Sequence, residues 1–578
     1  MVSSTQGQLN DLPAYQPRTF VPKDADLSDV KVVTGLYEQL YLRAIKSSQE
    51  LEQFVFDRSE LDAAVNQKGS VLYIYMTCQT DDPKRANDYK QFIETVVPAI
   101  KPLDDRLNHK FLKALEVHGL DTKRYQVYIR DLKCNVELFV DDNVPLQTKI
   151  DLLSQEYQTI SGAMTVIFEG KERTLPEMSK YLLEPDRSLR EQAWRATAQR
   201  RLQDCQKLEE IFDKMLELRN TVAKNAGFSN FRDYQFKSYH RFDYTPDDCK
   251  KYHRVMERHM VPLLQEISQL RRKQMKLTDL RPWDTAVDPL SLPALKPFGT
   301  VEELILKSVS VFRQTDEELG RQFEIMKNEG LLDLASRKGK APGGYQSTLS
   351  EARKPFIFMN AVGLERDVRT LLHEGGHAFH ALACAHDPLV EYRHAPMEFS
   401  EVASMAMELL AGEYMDVFYS PQDTRRSKRE HLEDILEVLV WVANVDAFQH
   451  WIYENPKHTP DQRKDMWIEL HKRFGGDVVN WQGLEGIREY LWHRQLHIFE
   501  VPFYYIEYGI AQLGALQLWR QAKENPKQAL ANYRRGLALG GSRPLPELYK
   551  AAGIEFDFTE RTILPLVELV KKEWESLV

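Results

Sequence analysis

Long hydrophobic runs are missing from this sequence. No segment approaches the roughly 18–20 uninterrupted apolar residues that a membrane helix requires, so no membrane partner is expected. A basic excess is missing too. Lys and Arg number 77 against 86 Asp and Glu, for a formal net charge of −9. Neutralising phosphates takes a cationic face, so a nucleic-acid partner is not expected either. Cysteine is scarce: Cys78, Cys134, Cys205, Cys249 and Cys384 are odd in number, widely spread and without a C-x-x-C pair. That argues against a disulfide framework and against a cysteine zinc site, and makes a reducing cytoplasm the simplest setting. There is no repeat of fixed period and no low-complexity tract. The opening MVSSTQGQLNDLPAYQPR has neither an apolar core nor a basic n-region. It reads as a flexible lead over residues 1–30 and not as a secretory signal.

What remains is an ordinary globular composition, 43% hydrophobic and 28% charged over 578 residues, enough for a large core or several lobes. Strand signals are few; VLYIYM (71–76) and KPFIFMN (354–360) are the best. Helical patterns dominate. The stretch 190–228 is rich in helix formers, lacks Pro, and meets its only Gly at Gly227, a plausible C-terminal stop. A second helix is expected after Thr245, a candidate cap followed by Pro246, Asp247 and Asp248. Residues 280–299 are Pro-rich and read as a long connection. Residues 338–350 are Gly-rich and read as loop and turn. The fold class is mostly α, with a small β-sheet near residues 340–360.

Residues 373–377 read His-Glu-Gly-Gly-His. Histidines at i and i+4 lie one turn apart on the same helix face, so both can reach a single zinc ion, and the glutamate between them can take a proton from water activated there. The local pattern supports a helix. Val368, Leu371, Leu372, Gly375, Phe379 and Leu382 form one apolar stripe, with His373, His377 and His380 on the other side. Two glycines in mid-helix cost about 1 kcal/mol each relative to Ala, which points to a closely approaching neighbour. A catalytic zinc needs a third protein ligand. The candidates are His380, His386, His394, Glu398, Glu401 and Glu408. Three ligands from one straight helix rarely converge, so the next helix, expected from about Pro396, is the better source. Glu401 and Glu408 share one of its faces two turns apart. One can bind the ion, and the other can orient a histidine.

LLHEGGHAFH followed by EFSEVASMAMELL resembles the thimet oligopeptidase and oligoendopeptidase F family of zinc peptidases. LRNTVAKNAGFSNFRDY, RPWD, GGY, RKPFIFMN and PFYYIEYGIAQLGA extend the resemblance over roughly residues 190–570. Gly375 departs from the commonest form, where a bulky apolar residue is frequent, but the spacing is intact. The resemblance implies a two-lobed helical shell around a deep substrate channel, divided into an N-terminal helical lobe (31–190) and a catalytic zinc-peptidase region (191–578) whose lobes interleave in sequence. It implies one Zn2+ per chain, held by His373, His377 and Glu401, with Glu374 as general base. Residues 493–508, HRQLHIFEVPFYYIEY, would by composition alone be an aromatic helix packed in a core. The resemblance instead implies that His497 and Tyr508 stabilise the oxyanion and that Tyr505 holds substrate, although Tyr504 is adjacent to it. RKPFIFMN is a candidate edge strand to which an extended peptide could add, with Gly343, Gly344 and Tyr345 as further substrate contacts. A buried strand with an ordinary glycine turn fits the same residues.

The expected activity is zinc-dependent hydrolysis of internal bonds in short peptides. The rivals are a metallocarboxypeptidase or dipeptidyl carboxypeptidase, and a peptide-binding protein with a structural metal, which would have no need of Glu374.

Overall fold

The computed structural model describes residues 9–337, 339–341, 343–475 and 478–578, without the side chains of 155, 158, 159 and 176. Helices dominate. The strands among the described residues are β1 (Thr165–Phe168), β2 (Lys171–Thr174), β3 (Leu332–Ala335), β4 (Tyr345–Leu349) and β5 (Lys354–Ala361). The chain divides into two compact units, each assembled from three segments: residues 1–137, 296–427 and 511–556 form the first, and 138–295, 428–510 and 557–578 the second.

In the first unit, residues 9–29 hold no helix or strand. They are nevertheless packed: Leu9, Val21 and Leu27 are buried, and the Glu60 carboxylate accepts the backbone amides of Thr19, Phe20 and Val21. The helix Ser48–Cys78 follows, capped by Ser47, whose hydroxyl accepts from the Glu50 amide at 3.2 Å. It contains VLYIYM, which the residue types alone favour as a strand. From 71 to the helix end the buried residues are Val71, Ile74, Thr77 and Cys78, a helical and not an alternating spacing. Burial on one face of a long helix overrides the local β preference of Val, Ile and Tyr.

The three-stranded sheet has the order β3-β5-β4, with β3 parallel and β4 antiparallel to β5. RKPFIFMN is therefore the central strand, not an edge. Pro355 to Met359 are all buried, the near-continuous apolar run of a strand covered on both faces. The outer strands are β3 and β4, and β4 forms the second half of the segment that looked like a glycine loop. After β5, Asp367 fixes the turn into the helix Glu365–Ala383: its Oδ2 accepts the amides of Val362, Gly363 and Leu364 at 2.7, 2.8 and 2.9 Å. Gly363 takes the positive φ of 95° that this turn needs.

In the second unit, the stretch expected as one helix is two, Arg187–Leu202 and Cys205–Asn225, separated at Gln203 and Asp204. The latter ends as expected. Gly227 has φ 82°, its amide donates to Lys224 and that of Phe228 to Ala223, which is a Schellman closure. Thr245 caps Pro246–Val255 in a reciprocal pair with Asp248. A single π-turn, Met256–Met260, then precedes the helix Val261–Gln274. Pro262 brings no amide proton to the ladder there, and the Val261 amide bonds to Met256 instead. The hairpin β1–β2 turns on Glu169 (φ 49°) and Gly170 (φ 73°), a two-residue turn with both central residues at positive φ.

Candidate metal centre

The helix Glu365–Ala383 buries Val368, Leu371, Leu372, Gly375 and Phe379, while Leu382 is half-buried. It packs on β5 and β4 and lies along the helix Met397–Ala411. The two glycines make that packing possible. A Cβ on Gly376 would stand 2.5 Å from the Ala403 carbonyl oxygen and 2.6 Å from Ser404 Cα. One on Gly375 would meet the Phe312 ring at 2.7 Å. Gly376 thus sets the distance between the helix that carries the histidines and the helix that carries the glutamates.

The result is a convergence of three donors. Glu401 Oε2 lies 3.4 Å from His373 Nε2 and 3.6 Å from His377 Nε2, and the two imidazole rings stand 82° apart. Ligands about 2.0–2.1 Å from a tetrahedral zinc ion are separated by about 3.3 Å, so the donor set fits that ion. Among the described residues, Glu401 is the member of the candidate list that joins both histidines in a group whose ligand atoms all lie within 4.8 Å. His380 does not face the cleft side. It is buried against Phe399, and burial pushes its pKa down to about 3.

Neighbouring residues fix these donors in place. His373 Nδ1 is 2.7 Å from Glu408 Oε1. A proton held there leaves the Nε2 lone pair for a metal. Burial opposes a charge on His373, but hydrogen bonds to Glu401 and Glu408 raise its pKa well above the usual value when no ion is present. Burial lowers His377 to about 4. Glu401 is held down to about 2, against burial, by His377 and His373. Ser404 donates to Glu401 Oε2 at 3.0 Å. Nothing in the sequence singled out Ser404; its place three residues after Glu401 on a helix is the signal that could have done so.

Glu374 is buried, and burial, followed by repulsion from Glu401 and Glu408, raises its carboxyl to about 7 against the pull of His373 and of a hydrogen bond from the Gln346 amide. That amide belongs to the outer strand β4, so the strand and the acid are in direct contact. Gly343 and Gly344 sit just ahead of β4. Gly343 has φ 95°, with open space where a side chain would stand, and its carbonyl accepts from Asn360 at 3.0 Å. The Tyr345 ring is stacked on Phe358 at 4.7 Å, with its hydroxyl 2.6 Å from Thr77 Oγ1, so that side chain serves the packing of the first unit.

His497, Tyr505 and Tyr508 belong to the second unit. They form one aromatic group: the His497 ring centroid lies 4.8 Å from Tyr505 and 5.7 Å from Tyr508, with Tyr504 at 5.9 Å. His497 Nε2 is 3.4 Å from the Tyr508 hydroxyl, and its Nδ1 is 2.8 Å from Gln495 Nε2. Tyr505 is raised to about 12 by burial and is bonded to Trp441 and Gln495.

Two results follow from the packing. Glu408→Ala should weaken zinc binding by roughly 10–100-fold without removing a ligand, as measured by competition with a chromophoric chelator; an unchanged affinity would show that Glu408 does not orient His373. Gly376→Ala should destabilise the fold by about 1–3 kcal/mol, because backbone and not a flexible side chain stands in the way. Thermal unfolding with and without zinc would read that loss and the accompanying weakening of the site.

Residues 181–564 match the model of peptidase family M3. An oligoendopeptidase F homologue of Borreliella burgdorferi is 25% identical over 470 residues, which is 74% of this chain and 75% of that protein. Oligopeptidase PepF of Bacillus subtilis is 27% identical over 325 residues, 53% of this chain and 45% of its own. Among solved structures, PZ peptidase A with an inhibitor superposes with a TM-score of 0.88 at 26% identity, covering 96% of this chain and 99% of that one.

Proposed function

The chain belongs to peptidase family M3 and is a peptidase, and from that premise we propose that it is a zinc-dependent oligoendopeptidase cutting internal bonds of short, unstructured peptides. The observation that carries this reading is the convergence of His373, His377 and Glu401 beside the buried Glu374. Those three residues would hold the ion and leave its fourth position open, as catalytic sites do. When bound, zinc supplies a Lewis acid for the scissile carbonyl and brings the pKa of water toward neutrality.

Glu374 handles the proton. Burial holds this carboxyl above the usual carboxylate range, which suits it to accept a proton from the attacking water and pass it to the leaving amine. Because the Gln346 amide of β4 is bonded to Glu374, an extended peptide laid along that outer strand would pass the base by main-chain hydrogen bonds, which tolerate many sequences. Gly343 and Gly344 would let it approach closely, and Tyr345 would contribute through its backbone. His497 and Tyr508 are assigned to the oxyanion, and Tyr505 to substrate.

Tyr508→Phe should lower kcat by roughly 10²–10³ with little change in KM, the signature of a donor that acts in the transition state. Tyr505→Phe should do less, since that hydroxyl is already bonded within its own unit. An unaltered kcat in Tyr508→Phe would remove it from the reaction. The reading as a whole is tested by quantifying zinc and mapping cleavage on a ladder of peptides with free and amidated C-termini. Internal cleavage indifferent to amidation is expected. Cleavage that requires the free carboxylate would make the protein a carboxypeptidase.

A further inference from the structure

The second unit contains another buried group of metal-ligand side chains, none of them among the residues assigned to peptide hydrolysis. Cys249 and His253 stand at i and i+4 on the helix Pro246–Val255, and Asp446 and His450 at i and i+4 on the helix Pro421–Glu454. This is the spacing that lets His373 and His377 share an ion, used here once on each of two helices. The ligand atoms of Cys249, Asp446 and His450 all lie within 4.8 Å of one another. These side chains are deep: Cys249, Asp446 and His450 are 1%, 0% and 2% exposed, and His253 is 5%.

Hydrogen bonding within the fold does not account for Asp446 and His450. His253 Nε2 is 2.8 Å from Asp446 Oδ2, which satisfies one oxygen. The other, Oδ1, has no partner, and neither ring nitrogen of His450 has one. His450 Nε2 lies 3.3 Å from Asp446 Oδ2, an ion-pair contact outside hydrogen-bond geometry and also the separation expected of two ligands across a tetrahedral ion. Buried polar atoms are usually hydrogen-bonded, and a ring whose nitrogens make no hydrogen bond, set beside a carboxylate and a thiol, calls for an occupant. Phe236 and Phe503 wall the His450 ring at 6.1 and 5.4 Å. A cleft of about 330 Å³ lined by Lys250, His253, His450, Glu454 and Arg473 among others leads to the two histidines.

We propose that Cys249, Asp446 and His450 form a second zinc site of three protein ligands, with His253 orienting the Asp446 carboxylate. Thiolate, imidazole and carboxylate together suit Zn2+ over the hard cations, which take oxygen. The cysteine gives up its proton on binding, and the ion ties the start of one helix to the end of the other. The absence of a C-x-x-C pair hid the site, because here the cysteine's partners stand a helical turn away and on another helix.

The test is made on the full chain. Wild-type protein should hold two zinc ions, and the His377→Ala and Cys249→Ala variants one each. X-ray absorption at the zinc edge should find one sulfur neighbour in His377→Ala, and cobalt substitution of that variant should give a thiolate charge-transfer band. The set His373, His377 and Glu401 contains no sulfur, so either signal belongs to Cys249. These spectra keep the proposal open to refutation even where Cys249→Ala fails to fold. A His377→Ala chain free of zinc, or one whose remaining ion has no sulfur neighbour, would overturn it.

Discussion

Glu374→Gln should lose turnover while keeping its metal: kcat is expected to fall by roughly 10²–10⁴, the range that a positioned general base contributes, with zinc content unchanged. Glutamine keeps the size of the side chain and an oxygen that can accept from the Gln346 amide, so the change removes the proton-accepting role and little else. The wild-type pH profile carries the same information. Glu374 must be ionised to act, so kcat/KM should drop tenfold per pH unit below its pKa. That value is about 7 without an ion, and a neighbouring dication favours the carboxylate, so the acid limb should lie below 7 and vanish in Glu374→Gln. In the metal-free protein the sign for stability is the opposite of a salt-bridged acid. A carboxyl raised by folding binds its proton more tightly when folded, so its contribution is fully present below its unfolded pKa and is lost as pH rises through about 7. Metal-free Glu374→Gln should therefore gain on the wild type with rising pH. Full activity in this variant would sink the mechanism.

The convergence of His373, His377 and Glu401 was legible in the sequence because helix periodicity converts spacing directly into geometry. His373, His377, Glu401 and Glu408 all lie on two helices whose faces could be read from their apolar residues, and the glycine pair announced the close contact that Gly376 makes with Ala403 and Ser404. His380 misled because a residue three positions from a ligand can turn either to the cleft or into the neighbouring helix, and only the position of Phe399 decides. The sheet was harder. That β5 is a strand follows from its residues, but strand order depends on partners far along the chain, so KPFIFMN could be read as an edge when β3 and β4 flank it. VLYIYM failed for the same reason in reverse: its local preference was real and its burial on a helix face outweighed it. Cys249 and Asp446 lie almost two hundred residues apart, and no local pattern brings them together.

His377→Ala should remove the catalytic ion and with it the activity. His373 and Glu401 alone make a two-ligand site. The ion is worth several kcal/mol of transition-state charge stabilisation, which at 1.36 kcal/mol per decade is a loss on the order of 10³-fold or more. The fold should survive, because His377 lies on the open side of its helix, 19% exposed, and outside the stripe that packs on the sheet. Stability of the metal-free variant should match that of the metal-free wild type to within about 0.5–1 kcal/mol, as for other substitutions away from the core. Removing His377 also takes away the leading attraction that holds Glu401 near 2. Glu374, Glu401 and Glu408 are then three acids around one histidine. Added zinc at high concentration should restore little turnover, since the vacated corner of the tetrahedron has no other side chain to fill it, whereas His377→Cys, which offers a thiolate on the same helix face, should regain metal more readily than rate. Zinc affinity in His377→Ala equal to that of the parent, measured on the equivalent that carries no sulfur, would rule out the assignment of the site.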